Sequence, residues 1–189
     1  MQNDLAPGFV VAMPTLRDPN FTRGVVLLVE HGPNGSLGFV VNRPSQLSFG
    51  QVVDALGLDS SAGDSLPIYT GGPVAPQSGW ILFDPHDAPR ADLDDALVVH
   101  DRLAVSASRK LLERIAREGA PRRSMLALGY AGWAEGQLDA EFRQGAWLPG
   151  DLDPSIVFDV DPEQRWSRVL AQSGIDPGRI ISPSGGDFC

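Results

Sequence analysis

Three side chains that could bind an anion lie where two predicted strands end. Arg23 precedes a strand predicted at 24–30, and Asn42 and Arg43 close one predicted at 37–42. The segment between them contains Pro-Asn-Gly, which favours a tight turn, so we expect the strands to pair as a hairpin. The three side chains then meet at its open end. Guanidinium and amide groups at that spacing are suited to bind a carboxylate or phosphate.

Asp18 allows a second interpretation of the same cluster. The segment 16–21 leads into the open end of the hairpin, and Asp18 is the acid nearest in the sequence. Two arginines at one strand end repel each other unless an acid or a bound anion lies between them. One alternative is therefore a structural ion pair of Asp18 with Arg23 or Arg43. The other is a pocket for a small anionic ligand.

Two glycine-containing segments complete the candidate site. Gly71 and Gly72 precede a proline at a strand end, which predicts either a tight turn or a pair of amides exposed to a ligand oxygen. The segment 129–138 joins a buried strand to the start of a helix, where free N–H groups favour anions. Its Tyr130 and Trp133 would cover a pocket or belong to the core, and Gln137 lies at the helix start.

The sequence lacks the patterns of common catalytic sites. It contains neither the Gly-x-Ser-x-Gly nucleophile motif nor the Gly-Lys-Ser/Thr of a phosphate-binding loop. Its histidines are scattered, and its single cysteine is the last residue, Cys189. We therefore expect no catalytic residues, no metal and no cofactor. A hydrolase, the alternative, would use Asp18 or His31 with the arginines.

Composition narrows the class of protein. The 189 residues are 42% hydrophobic with a net charge of −9, which suits one globular domain and disfavours direct nucleic-acid binding. No signal sequence or membrane span is visible, so we predict a cytoplasmic protein. The domain is expected at 1–180, followed by a flexible tail at 181–189.

Apolar runs predict the secondary structure. Unbroken runs such as 25–29 indicate strands buried on both faces, which helices must then cover. Strands are predicted at 9–12, 24–30, 37–42, 68–69, 80–83, 97–100, 103–105 and 125–129. Helices are predicted to begin after Ser48, after Ser106 or Ser108, at Gly136 and at Asp161. Because helices and strands do not alternate strictly, the fold class is α+β with a mixed sheet.

Over about residues 5–176 the sequence resembles the bacterial YqgE/AlgH family. The shared motifs, in order, are FVVAMP from Phe9, DPNFxR from Asp18, EH at Glu30, GFVVNRP from Gly38, GGPV from Gly71 and GYAGWxxGQL from Gly129. The resemblance implies a branched sheet, partly closed into a small barrel and surrounded by helices. It supplies no catalytic residues, and the family is described as one of transcriptional regulators without an established activity.

These observations lead to one functional prediction with two alternatives. We expect a non-catalytic cytoplasmic module that binds a small anionic ligand or a protein partner in a regulatory role. The first alternative is a DNA-binding transcriptional regulator, which the net charge of −9 opposes. The second is a hydrolase with an arginine-lined site.

Overall fold

The computed structural model describes residues 5–59, 61–63 and 66–178, which form a single α+β domain. The strands are β1 Gly8–Ala12, β2 Val25–Gly32, β3 Gly35–Val40, β4 Ile68–Thr70, β5 Val74–Phe83, β6 Leu97–His100, β7 Leu103–Ser106, β8 Ser124–Trp133 and β9 Trp147–Gly150. The helices are α1 Phe49–Ala55, α2 Arg109–Glu118, α3 Gln137–Arg143, α4 Pro154–Phe158 and α5 Pro162–Gln172. Two short 3-10 helices, Pro85–Asp87 and Arg90–Leu93, precede β6.

The described strands form one branched, mixed sheet, as expected. Its order is β6-β7-β5-β8-β3-β2-β1-β9, and β4 pairs with β8 outside this path. The branch lies in β8, which pairs in parallel with β4 and antiparallel with β5 and β3. The end strands β6 and β9 do not pair with each other within the described ranges, so the sheet is not closed into a barrel.

Helices cover both faces of the sheet, as the unbroken apolar runs require. The helices α4 and α5 pack on one face over the side chains of β1 and β2, including Phe9, Val25 and Leu27. On the other face, α1 and α2 pack on β5 and β8 through Phe49 and Ile115. A third cluster joins α3 to the opposite sides of β1 and β2.

Most predicted elements are present. The Ser48 hydroxyl accepts from the Gln51 N–H, and the Gln51 side chain accepts from the Ser48 N–H, which forms the predicted capping box of α1. At α2 the N-cap is Ser108, whose hydroxyl makes no capping hydrogen bond. The elements β9 and α4 were not predicted. The predicted tail 181–189 lies outside the described residues.

Candidate functional site

The guanidinium of Arg43 holds the loop 18–24 onto the sheet. Its Nη1 donates to the carbonyl of Pro19 at 2.7 Å, and its Nη2 donates to the carbonyl of Thr22 at 3.0 Å. Burial lowers the pKa of Arg43, while the negative charge of Asp18 acts in the opposite direction. Both terminal nitrogens of this guanidinium are therefore already engaged with the protein.

Asn42 continues the hairpin with its side chain. Its Oδ1 accepts from the backbone N–H of Val25 at 2.8 Å, and its Nδ2 donates to the carbonyl of Arg23 at 2.8 Å. The amide of Asn42 thus takes the place of a backbone partner for the loop.

The register of the hairpin agrees with the prediction near its turn. The predicted pairing of Glu30 with Leu37 is confirmed, but a bulge between Leu28 and Glu30 shifts the pairing of the residues further from the turn.

Asp18 lies at the same strand end without an ion pair to either arginine. Its Oδ1 accepts from the backbone N–H of Asn20 at 2.8 Å, which closes the turn. None of the ion pairs among the described residues includes Asp18, so the structural ion pair predicted as one alternative is not formed. Arg23 is exposed, with its guanidinium carbon 5.7 Å from the ring centre of Trp166. The anion pocket at this cluster stays a prediction.

Gly71 and Gly72 allow two stretches of backbone to cross closely. A Cβ on Gly72 would lie 2.2 Å from the carbonyl oxygen of Tyr130, and one on Gly71 would lie 2.4 Å from that of Gly129. The Gly71 N–H donates to the carbonyl of Leu128 at 2.7 Å. The amide of Gly71 is thus a structural donor, and both glycines are buried.

Trp133 and Gln137 meet around Glu141, a residue that sequence reasoning missed. The indole N–H groups of Trp133 and Trp147 both donate to Glu141 Oε2, at 3.0 and 2.7 Å. Gln137 Nε2 donates to Glu141 Oε1 at 2.9 Å. Phe21 packs on both indoles, with ring centres 6.1 Å and 5.4 Å away. Trp133 therefore belongs to the core with its polar edge satisfied.

Tyr130 is separate from this aromatic cluster. Its ring lies edge-on to Trp80, with ring centres 6.3 Å apart. Residues three apart in a strand point to opposite faces, which places Tyr130 and Trp133 on different sides of β8. The loop 18–24 joins the Arg43 cluster to Trp133 through Phe21, but Tyr130 is not part of that arrangement.

A histidine, a serine and an aspartate lie together at the turn of the hairpin. His31 and Ser36 are cross-strand partners, and Nδ1 of His31 is 2.8 Å from the Ser36 hydroxyl. Nε2 of His31 is 3.8 Å from Asp139 Oδ1, beyond hydrogen-bond distance. The residue types match a nucleophilic triad, but the carboxylate does not orient the ring as such a triad requires.

A groove of about 490 Å³ lies between α1 and α2, with β5 and β8 as its floor. Its walls are largely apolar and include Val52 on α1 and Leu112 on α2. At its rim, Leu47 is 47% exposed and Leu56 is 43% exposed. Arg109 is the only charged residue among the described residues that line it. Arg109 and Leu112 are one turn apart and share a face of α2.

The local sequence explains why the groove stays open. The helix α1 ends at Ala55, with Leu56 as its C-cap, so Leu47 and Leu56 flank a helix of two turns. In the floor, Gly79 has no side chain to fill the space, and it follows a bulge in β5. Apolar residues at both ends of α1 were the signal that could have indicated this groove from the sequence.

Comparisons with known proteins place this fold in a family. The model of the AlgH-like family matches residues 9–178. A UPF0301 protein of Anaeromyxobacter dehalogenans is 42% identical over 190 residues, covering 96% of this chain and 94% of the relative. One of Paracoccus denitrificans is 40% identical over 188 residues, with 97% of each chain covered.

Two solved structures have the same fold as this chain. The solution structure of AlgH from Pseudomonas aeruginosa has a TM-score of 0.78 at 36% identity, covering 98% of this chain and 97% of that one. A crystal structure from Corynebacterium diphtheriae has a TM-score of 0.68 at 24% identity, covering 98% of this chain and 91% of its own, and shows a shared fold. The chain belongs to the AlgH-like family. The names of these relatives state no activity.

No helix within the described ranges is both long enough and apolar enough to span a bilayer.

Proposed function

We propose that this chain is a non-catalytic, cytoplasmic binding module with a regulatory role, and that it holds a small ligand with an apolar body in the groove between α1 and α2. The observation that carries the proposal is the groove itself. Its volume of about 490 Å³ lies in the range of small-molecule sites, which are mostly apolar with a few polar groups.

The exposed leucines support the same proposal. Leu47 and Leu56 stand at the rim with nearly half of their surface in water, and Leu112 lines the groove from α2. Covering such surface with an apolar ligand releases about 25 cal/mol for each Å² removed from water. Arg43 is a weaker candidate for a ligand site, because its terminal nitrogens already bind the carbonyls of Pro19 and Thr22.

Filling the groove is expected to weaken ligand binding strongly. Ala55 is exposed at the end of α1 and lines the groove, so Ala55→Trp would place an indole in the space without disturbing the core. The probe is the neutral dye N-phenyl-1-naphthylamine, whose fluorescence rises in apolar sites. We expect the wild type to enhance the dye's fluorescence and Ala55→Trp to lose at least about tenfold in affinity, equivalent to about 1.4 kcal/mol.

The matched control is Ala171→Trp. Ala171 is also an exposed alanine near the end of a helix, α5, and it does not line the groove. This variant should bind the dye as the wild type does, with excitation chosen to avoid tryptophan. Equal binding by all three proteins, or no binding by the wild type, would contradict the proposal.

Hydrolysis is the second candidate function, and the contact of His31 with Ser36 favours it. Our proposal predicts instead that neither residue catalyses ester cleavage. We expect wild type, Ser36→Ala and His31→Asn to hydrolyse p-nitrophenyl acetate equally, no faster than the same concentration of free imidazole. His86→Asn, which removes an exposed histidine, controls for surface imidazoles. A faster wild-type rate that is lost in Ser36→Ala and kept in His86→Asn would support the hydrolase instead.

A further inference from the structure

We infer that the ligand of the groove is an amphipathic carboxylate whose acid group is bound by Arg109. The inference rests on the function proposed above and adds the chemical class of the ligand. A ligand that fits the groove must pack an apolar body against its walls and place a polar end beside Arg109. In a chain with a net charge of −9, the one charged residue that lines this groove within the described part of the chain is a cation, Arg109.

Arg109 is well placed for this contact. It is the first residue of α2, and its side chain is 62% exposed, so the guanidinium is accessible at the end of the groove. Leu112, one turn further along, lines the apolar part of the same space. A carboxylate at the guanidinium would therefore have its alkyl chain directed along Leu112 toward the floor strands.

One acid already contacts the guanidinium but does not occupy it fully. Glu113 Oε1 accepts from Arg109 Nε at 2.9 Å, an exposed pair one turn apart on the helix. Among the described residues no hydrogen bond involves the two Nη nitrogens of Arg109. These two nitrogens are the donors through which the guanidinium could bind a second carboxylate with two parallel hydrogen bonds.

Nearby groups set the expected strength of the contact. The backbone dipole at the start of α2 adds positive potential, and the Ser108 hydroxyl makes no capping bond there. Two acids oppose a ligand carboxylate, namely Glu113 and Asp95, whose Oδ2 lies 3.5 Å from the Ser108 hydroxyl. Because Arg109 is exposed and partly neutralised by these acids, we expect its contact with a carboxylate to raise the ligand's affinity moderately and in a salt-dependent way.

The test compares decanoate with 1-decanol, which share the alkyl chain and differ in charge, by displacement of N-phenyl-1-naphthylamine. We expect Arg109→Gln to weaken decanoate binding about fivefold while 1-decanol binding changes less than twofold. Glu113→Gln, which removes the competing acid, should strengthen decanoate binding about twofold and leave 1-decanol unchanged. Raising the salt concentration should weaken decanoate binding to the wild type but not to Arg109→Gln.

The control is Arg117→Gln, which removes another exposed arginine of α2 that does not line the groove. It should bind both compounds as the wild type does, and melting temperatures verify that each variant is folded. If dye and 1-decanol bind but decanoate binding is insensitive to Arg109→Gln and Glu113→Gln, the inference is overturned and the groove function stands. If dye, decanol and decanoate all fail to bind, both are overturned.

Discussion

Gly72→Ala is expected to lower the free energy of unfolding by about 4 kcal/mol or more, the range of severe steric substitutions. The added Cβ would lie 2.2 Å from both the carbonyl carbon and the carbonyl oxygen of Tyr130. These are backbone atoms of β8, which is held by three neighbouring strands, so they cannot move aside as a flexible side chain would. Relief would require separating the 71–72 segment from β8.

Urea unfolding followed by tryptophan fluorescence measures this effect, and Gly32→Ala is the matched control. A Cβ on Gly32, at the end of β2, would meet nothing within 4 Å, so Gly32→Ala should lower the unfolding free energy by no more than about 0.5 kcal/mol. Insoluble expression of Gly72→Ala beside soluble Gly32→Ala would agree with the expectation. A soluble Gly72→Ala with wild-type stability would disprove the close crossing.

Arg165→Met should have the second large effect, a loss of about 3–5 kcal/mol, typical of leaving buried polar groups unpaired. Arg165 is 4% exposed, and burial lowers its pKa, against the opposing effects of Tyr69 and Asp161. Its Nε donates to the carbonyl of Val160 at 2.8 Å, its Nη1 donates to that of Val41, and its Nη2 donates to the Tyr69 hydroxyl at 3.2 Å. Methionine fills similar space but leaves these three acceptors without a donor.

The comparison for Arg165→Met is Arg168→Met, three residues further along α5 and exposed. It should change the unfolding free energy by less than about 0.5 kcal/mol, as most surface substitutions do. Tyr69→Phe, which removes only one acceptor, should fall between the two, at about 1 kcal/mol. Equal stability of the two arginine variants in urea unfolding would mean that the buried guanidinium does not hold α5 to the segment after β3 and to β4.

Much of the fold could be predicted because its signals are local. The apolar run of β2, the turn before β3 and the capping box at Ser48 each depend on neighbouring residues. The strand β9 was missed because its sequence Trp-Leu-Pro-Gly contains two residues disfavoured in strands, and it is tolerated because β9 is an edge strand. The helix α4 was missed because it has only five residues, although Asp153 caps it before a proline.

The candidate site was predictable only in part. Counting along the hairpin correctly placed Asn42 and Arg43 at the end where Arg23 lies, because the bulge shifts the register by only one residue. It could not show that Arg43 would bind two loop carbonyls, since the directions of carbonyls in an irregular loop leave no pattern in side-chain types. The groove was missed for a different reason: its walls come from α1 and α2, which are separated by about fifty residues and meet only through the tertiary fold.

The branching of β8 links ligand binding in the groove to the local opening of the sheet. Because β8 is shared by β3, β4 and β5, separating any of these strands from it breaks hydrogen bonds of β8, so we expect its amide hydrogens to be among the last to exchange. Leu126 and Leu128 of β8 also line the groove. A ligand bound there favours the folded state, so it should slow the opening events that separate β8 from its neighbours, including β3 of the hairpin.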